Sequence, residues 1–146
     1  MSMSSPARKI RITVGLVSCS KSKLDDPAPA RDLYSPSYIF RKSVEYVEKS
    51  CDEWLILSAK HGVVDPGFVI APYDETLSKK RRPERSEWDS KVRCDLEIRY
   101  KDRDVTFIVM AGSLYAEPIR GMQCVVIEPL RGLGTGKRIQ WLALHA

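Results

Sequence analysis

Lys60, His61 and Asp65 bring three titratable side chains into six residues of the segment AKHGVVDPG, directly after the apolar run WLILS. An ammonium, an imidazole and a carboxylate at the end of a buried strand, with Gly62 and a Pro66-Gly67 turn among them, are the parts of acid–base or electrostatic catalysis. The same stretch also reads as a plain turn, with Asp65 capping the bend before Pro66 and His61 bonded within its loop. A second such loop, SCSKSK, follows the apolar run ITVGLVS. Its Ser18, Cys19 and Ser20 can turn hydroxyls and amides toward an anion while Lys21 or Lys23 neutralises it. Cys19 is either a nucleophile activated by a neighbouring lysine or a small thiol packed at the strand end.

Three further segments carry polar chemistry. In AGSLYAEP, Gly112 permits close backbone approach to Ser113 and Tyr115, and the tyrosine either stacks on a base or packs in the core. PLRGLGTGKR holds Arg131 and Gly132 in a Gly-rich turn. It is not a Walker A loop, because Arg131 stands where the first Gly is needed and Arg138 follows Lys137 in place of Ser or Thr. At a helix N-terminus it can still hold an anion through amides and the helix dipole. APYDETL sets Asp74 and Glu75 beside Tyr73 and leads into KKRRPER, whose Lys79, Lys80, Arg81, Arg82 and Arg85 put five positive charges in seven residues. That run is either a phosphate contact or a solvated loop.

Elements that position these loops follow from the apolar pattern. ITVGLVS, WLILS, VTFIVMA and CVVIE are short and rich in β-branched residues, as strands covered on both faces are. Between them, Phe40, Val44, Val47 and Cys51 recur at helical spacing after a cap at Ser35, and Trp88, Val92 and Leu96 mark a second helix. A short helix is expected over Leu114 to Arg120, and a terminal one carries Ile139, Trp141 and Leu142 inward. Alternating strands and helices predict an α/β fold: a three-layer sandwich with a mostly parallel sheet of about four strands. Ligands of such sheets collect beyond the carboxyl ends of the strands, where all four polar loops would converge.

The chain has 146 residues, 43% hydrophobic and 29% charged. That composition predicts a flexible arm over residues 1–10 and a single domain over 11–146, large enough to hold a core without disulfides. It contains no apolar run of membrane-spanning length, and its opening lacks the apolar stretch of a secretory signal, so a cytoplasmic location is expected. Four scattered cysteines without a C-x-x-C pair, and two histidines, give no metal site, and no motif calls for a cofactor. The net charge of +5 favours polyanionic partners.

Taken in order, SCSKSK, DLYSPS, SAKHGVVDPGFVIAPY, AGSLYAEPI and PLRGLGTGKRI resemble the YaaA-like peroxide-stress proteins, and more closely a group of short bacterial, archaeal and phage proteins sharing these motifs. The resemblance implies a fold related to the uracil-DNA glycosylase superfamily. It also implies an association with DNA protection, stress response or nucleobase modification, some relatives acting as DNA glycosylases in phage defence. Carried onto this chain, the motif positions are Ser18, Ser20, Lys21, Tyr34, Ser58, Gly62, Pro66, Tyr73, Ser113, Tyr115, Arg131 and Gly132. The chain departs from the family pattern at His61, where Tyr is usual, and in having Asp65 before the loop proline and Phe68 after it.

The expectation is therefore a nucleobase-directed enzyme acting on DNA or a nucleotide, most simply by cleaving an N-glycosidic bond. Asp65 would stabilise the sugar cation or orient water, His61 or Lys21 would receive or neutralise the base, Tyr115 or Tyr73 would stack on it, and the basic run would hold the backbone. The alternatives are a non-catalytic DNA-binding stress protein and a hydrolase of small nucleotides.

Overall fold

A computed structural model describes residues 9–146. The four apolar runs form β1 (Ile10–Ser18), β3 (Glu53–Ser58), β6 (Arg103–Met110) and β7 (Val125–Ile127), which pair in parallel in the order β3-β1-β6-β7. A fifth strand, β4 (Gly62–Val64), turns back antiparallel on β3, so the sheet is one strand wider than expected among the described residues. Two β-branched residues beside an open strand edge are enough to extend it. A two-residue ribbon, β2 (Ala28–Pro29) with β5 (Val69–Ile70), lies apart from the sheet. Of the expected N-terminal arm, residues 1–8 lie outside the described residues, and Ile10 already opens β1.

Strand alternation divides the core in two. Ile12, Val14, Leu16, Leu55, Leu57, Phe107 and Val109 face α3 (Arg82–Arg99) and α4 (Ser113–Arg120), which contribute Trp88, Val92, Leu96, Ala116 and Ile119. Val17, Ile56, Ile108 and Met110 face α1 (Ala30–Leu33), α2 (Tyr38–Ser50) and α5 (Thr135–His145), which contribute Leu33, Phe40, Val44, Val47 and Leu142. A helical layer thus covers each face of the sheet. Where α2 presses on β1 the strand is glycine: a Cβ on Gly15 would lie 2.6 Å from the Val47 Cβ.

Local starts differ from the expectation in three places. The cap of α2 is Ser37, whose hydroxyl accepts the Phe40 N–H at 3.2 Å. Ser35 instead donates its N–H to the Asp32 carbonyl in the turn after α1. The basic run is not one loop. Lys79 closes a 3-10 turn (Leu77–Lys79), and Arg82 and Arg85 lie in the first turns of α3, which Pro83 opens. Ile139 is 38% exposed, leaving Leu142 as the buried residue of α5. No helix among the described residues is long and apolar enough to cross a membrane.

Candidate functional site at the carboxyl edge of the sheet

From β1 the chain crosses to β3 on one side, and from β6 it crosses to β7 on the other, so the strand order reverses between β1 and β6. A crevice opens beyond the strand ends at such a point. Ser18 and Cys19 enter it from β1, with the Cys19 N–H still bonded to the Leu57 carbonyl at 2.9 Å. Ser58 enters from β3, and Gly112 and Ser113 follow β6.

The floor of the crevice is a hydroxyl cluster. The Tyr73 phenol oxygen lies 2.6 Å from that of Tyr34 and 2.7 Å from the Ser58 Oγ, which also accepts the His61 N–H at 3.0 Å. The Ser58 carbonyl in turn accepts the buried Trp88 indole N–H at 2.8 Å. Three hydroxyl protons serve two contacts, so one is left over. Tyr34 and Ser58 are fully buried and Tyr73 is half-buried. Either oxygen of each contact can be the donor, and whichever group holds the third proton has no acceptor for it inside the cluster. Burial pushes the Tyr34 phenol up to about 12 and raises Tyr73 further, which keeps both protonated as donors.

Lys23 faces this cluster, its ammonium 4.5 Å from the centre of the Tyr73 ring and 5.9 Å from that of Tyr34. Lys21, the other lysine of this loop, is exposed, and its carbonyl accepts from the Lys23 ammonium at 3.3 Å. Ser20 closes the same loop on the Ser22 carbonyl. On the other side Cys19 donates through its thiol to the Tyr115 oxygen at 3.6 Å, and the Leu77 N–H reaches that oxygen at 3.4 Å. Tyr115 packs edge-on against Trp88, and burial raises its phenol above the usual range.

His61 sits edge-on to Tyr73 with ring centres 5.5 Å apart. Burial, then the charges of Lys60 and Lys91, lower its pKa against a smaller opposing pull from Glu75, so the imidazole is neutral at pH 7. Lys60 itself is exposed. Gly62 turns the chain back with φ +75°, and a Cβ there would meet the Lys91 side chain at 3.3 Å. Asp65 does not join this group. Because β4 runs antiparallel, with Val64 opposite Ile56, the chain has left the carboxyl edge by Asp65. The Asp65 carboxylate is held by Arg99 at 3.3 and 3.4 Å, and its carbonyl accepts the Phe68 N–H in a turn.

Beyond α4 a cleft of about 340 Å³ is lined by Ser113, Arg120, Arg131, Gly132 and Arg138 among others. Glu128, just after β7, takes two hydrogen bonds from Arg120 at 2.7 and 2.8 Å and an ion pair from Arg131 at 3.5 Å. Arg120 holds the Glu128 carboxyl below its ordinary range, so it is ionised at neutral pH. A larger depression of about 1230 Å³ lies at the opposite edge, between Arg11, Tyr100, Arg103 and Cys124. It gathers long surface side chains and no buried polar cluster. Of the basic run, Lys80 pairs with Glu75 at 3.1 Å and Arg81 with Glu84 at 3.4 Å, while Lys79 and Arg82 are exposed and Arg85 is half-buried.

A sequence model of a family described as being of unknown function, DUF6884, matches residues 14–144. The chain belongs to that family. Neither a curated protein nor a solved structure matches the chain at a significant level. The DUF6884 match runs from within β1 to the end of α5, so it takes in every element that bounds the crevice. Sequence reasoning overlooked Arg120 and Glu128; the signal for Glu128 was a charge at the end of an otherwise apolar strand run. It set aside Arg138 as the residue that spoils a phosphate-loop pattern, yet Arg138 is a wall of the cleft.

Proposed function

We propose that the chain is a nucleobase-directed enzyme of DNA or nucleotides that cleaves an N-glycosidic bond, in a fold akin to that of the uracil-DNA glycosylases. The observation that carries this reading is the Tyr73, Tyr34 and Ser58 hydroxyl cluster: protonated, with one O–H more than its own contacts use, and flanked by the Lys23 ammonium and a neutral His61. Cleavage sends the electron pair of the breaking C–N bond onto the base, where a hydrogen-bond donor and a cation stabilise it. Water attacks the anomeric carbon, neutral His61 accepts the proton that water loses, and that proton passes to the base nitrogen. Lys23 and His61 take the parts first expected of Lys21 and Asp65.

Base release is the direct test. Wild-type, Tyr73→Phe and Lys23→Ala proteins are incubated with nucleotides and with DNA carrying normal, deaminated, oxidised or phage-type modified bases, and free bases are read by mass spectrometry. Release of one base by wild type, reduced at least tenfold in both variants, is the expected result. No release from any substrate overturns it. A second reading, non-catalytic DNA binding, is supported by the basic run at the start of α3; it predicts salt-sensitive DNA retention that Tyr73→Phe leaves intact.

A further inference from the structure

We propose that the cleft between α4 and α5 binds a phosphomonoester dianion. Charge is the first argument. Arg120, Arg131 and Arg138 carry three positive charges; Glu128 pairs with two of them and Glu117 acts on Arg120 from its own helix, so the cleft keeps a positive excess suited to an anion. Arg120 is spent on Glu128, whereas Arg131 is 65% exposed and holds Glu128 at only 3.5 Å. Arg138 is anchored through Nε to the Leu133 carbonyl at 2.8 Å, and among the described residues it pairs with no carboxylate. Its two terminal nitrogens are therefore a fixed fork without an acceptor, the geometry that matches phosphate oxygens.

Neutral donors point the same way. Arg120 Nη1 donates to the Ser113 Oγ at 3.1 Å, which fixes that oxygen as an acceptor and leaves the Ser113 O–H to be given elsewhere. α4 starts at Gly112 with no side-chain cap. A Cβ on Gly112 would lie 3.8 Å from both terminal nitrogens of Arg138, so the guanidinium lies beside the residue that caps α4. α4 joins this cleft to the crevice, since Ser113 lines the one and Tyr115 contacts Cys19 in the other. If the phosphate belongs to a nucleotide, which rests on the reading above, its base would extend toward Tyr73 and Lys23.

Calorimetric titration with inorganic phosphate, a nucleoside 5′-monophosphate, the matching nucleoside, and an oligonucleotide without terminal phosphates tests the site. The expected result is that phosphate and the monophosphate bind, that Arg138→Ala and Arg131→Ala each weaken both by roughly tenfold or more, and that Lys101→Ala at the opposite edge changes nothing. Phosphate binding that is absent in wild type, or unchanged in both arginine variants, overturns the proposal. Equal binding of the end-free oligonucleotide, weakened by the same variants, overturns the monoester assignment in favour of a backbone phosphodiester. Arg131 is mostly exposed, so its variant keeps the test open if Arg138→Ala does not fold. Phosphate binding without base release refutes only the N-glycosidic reading, whereas base release at equal rates from nucleotide and nucleoside refutes only the phosphate site.

Discussion

The Tyr34 and Tyr73 phenol oxygens meet at 2.6 Å although 39 positions separate them in the chain. Tyr34 follows α1 and Tyr73 follows β5, and the Ser58 hydroxyl at the end of β3 completes the contact. One phenol therefore ties three segments to the carboxyl edge.

Tyr73→Phe leaves the buried Tyr34 and Ser58 hydroxyls without their shared partner, and is expected to lower stability by about 1–3 kcal/mol. Adding Tyr34→Phe removes one of the stranded groups, so the double variant loses less than the two single losses combined. Urea unfolding of the four proteins measures both quantities. Additive losses would mean that the phenols do not share a bond in solution.

Tyr34, Tyr73, Tyr100 and Tyr115 are each raised above the ordinary phenol value of 10, chiefly by burial. The folded chain then keeps protons that the unfolded chain releases, so this contribution is complete below pH 10 and falls as pH rises toward and beyond 12. Denaturation midpoints should decline across that alkaline window, and less steeply in Tyr34→Phe. Equal slopes would contradict the burial of Tyr34.

His61 titrates below its ordinary value of 6.5 in the folded state. The neutral form is the one favoured by folding, so its contribution is present above that value and is lost as pH falls through the folded pKa. Imidazole resonances in an NMR titration report the midpoint directly. Lys91→Ala should move it up and Glu75→Gln further down; shifts of the opposite sign would place His61 elsewhere.

Asp65→Asn should cost no more than about 1 kcal/mol, because the carboxylate that pairs with Arg99 is 61% exposed. Base release should be unaffected. Loss of release in a variant of normal stability would return Asp65 to the site.

Gly15→Ala places a methyl 2.6 Å from the Val47 Cβ and should destabilise by about 1–3 kcal/mol or more, since strand and helix must separate to admit it. Thermal unfolding reads the loss, and Val47→Ala in the same chain should recover part of it.

The four parallel strands were legible because each is a short run of β-branched apolar residues with no competing helical period, although β7, at the sheet edge, leaves Val125 and Ile127 exposed. β4 was not, since two valines after a glycine carry no period and pair only because β3 offers a free edge. That omission alone misplaced Asp65: adjacency in AKHGVVDPG put it beside His61, and the reversal at Gly62 carries it away. Tyr73 and Tyr34 were marked by resemblance, but their bond depends on two loops closing over one strand end. Lys21 and Lys23 are equivalent on paper, and only the path of the loop sets one of them over an aromatic ring. Of the arginine cleft, Ser113, Arg131 and Gly132 were marked but their meeting with Arg120 and Arg138 was not, as the members come from α4, the turn after β7 and α5.

The strand order also dictates a timetable. β1 is made first, yet it is the central strand, and its longest ladder joins Ile10 to Arg103, 93 positions later. As the chain leaves the ribosome, a strand of bare isoleucine, valine and leucine must wait for β6 to be synthesised before that edge is paired. Closing so long a loop is slow. Folding should therefore be late and nearly all-or-none, with the nascent N-terminal half dependent on chaperones.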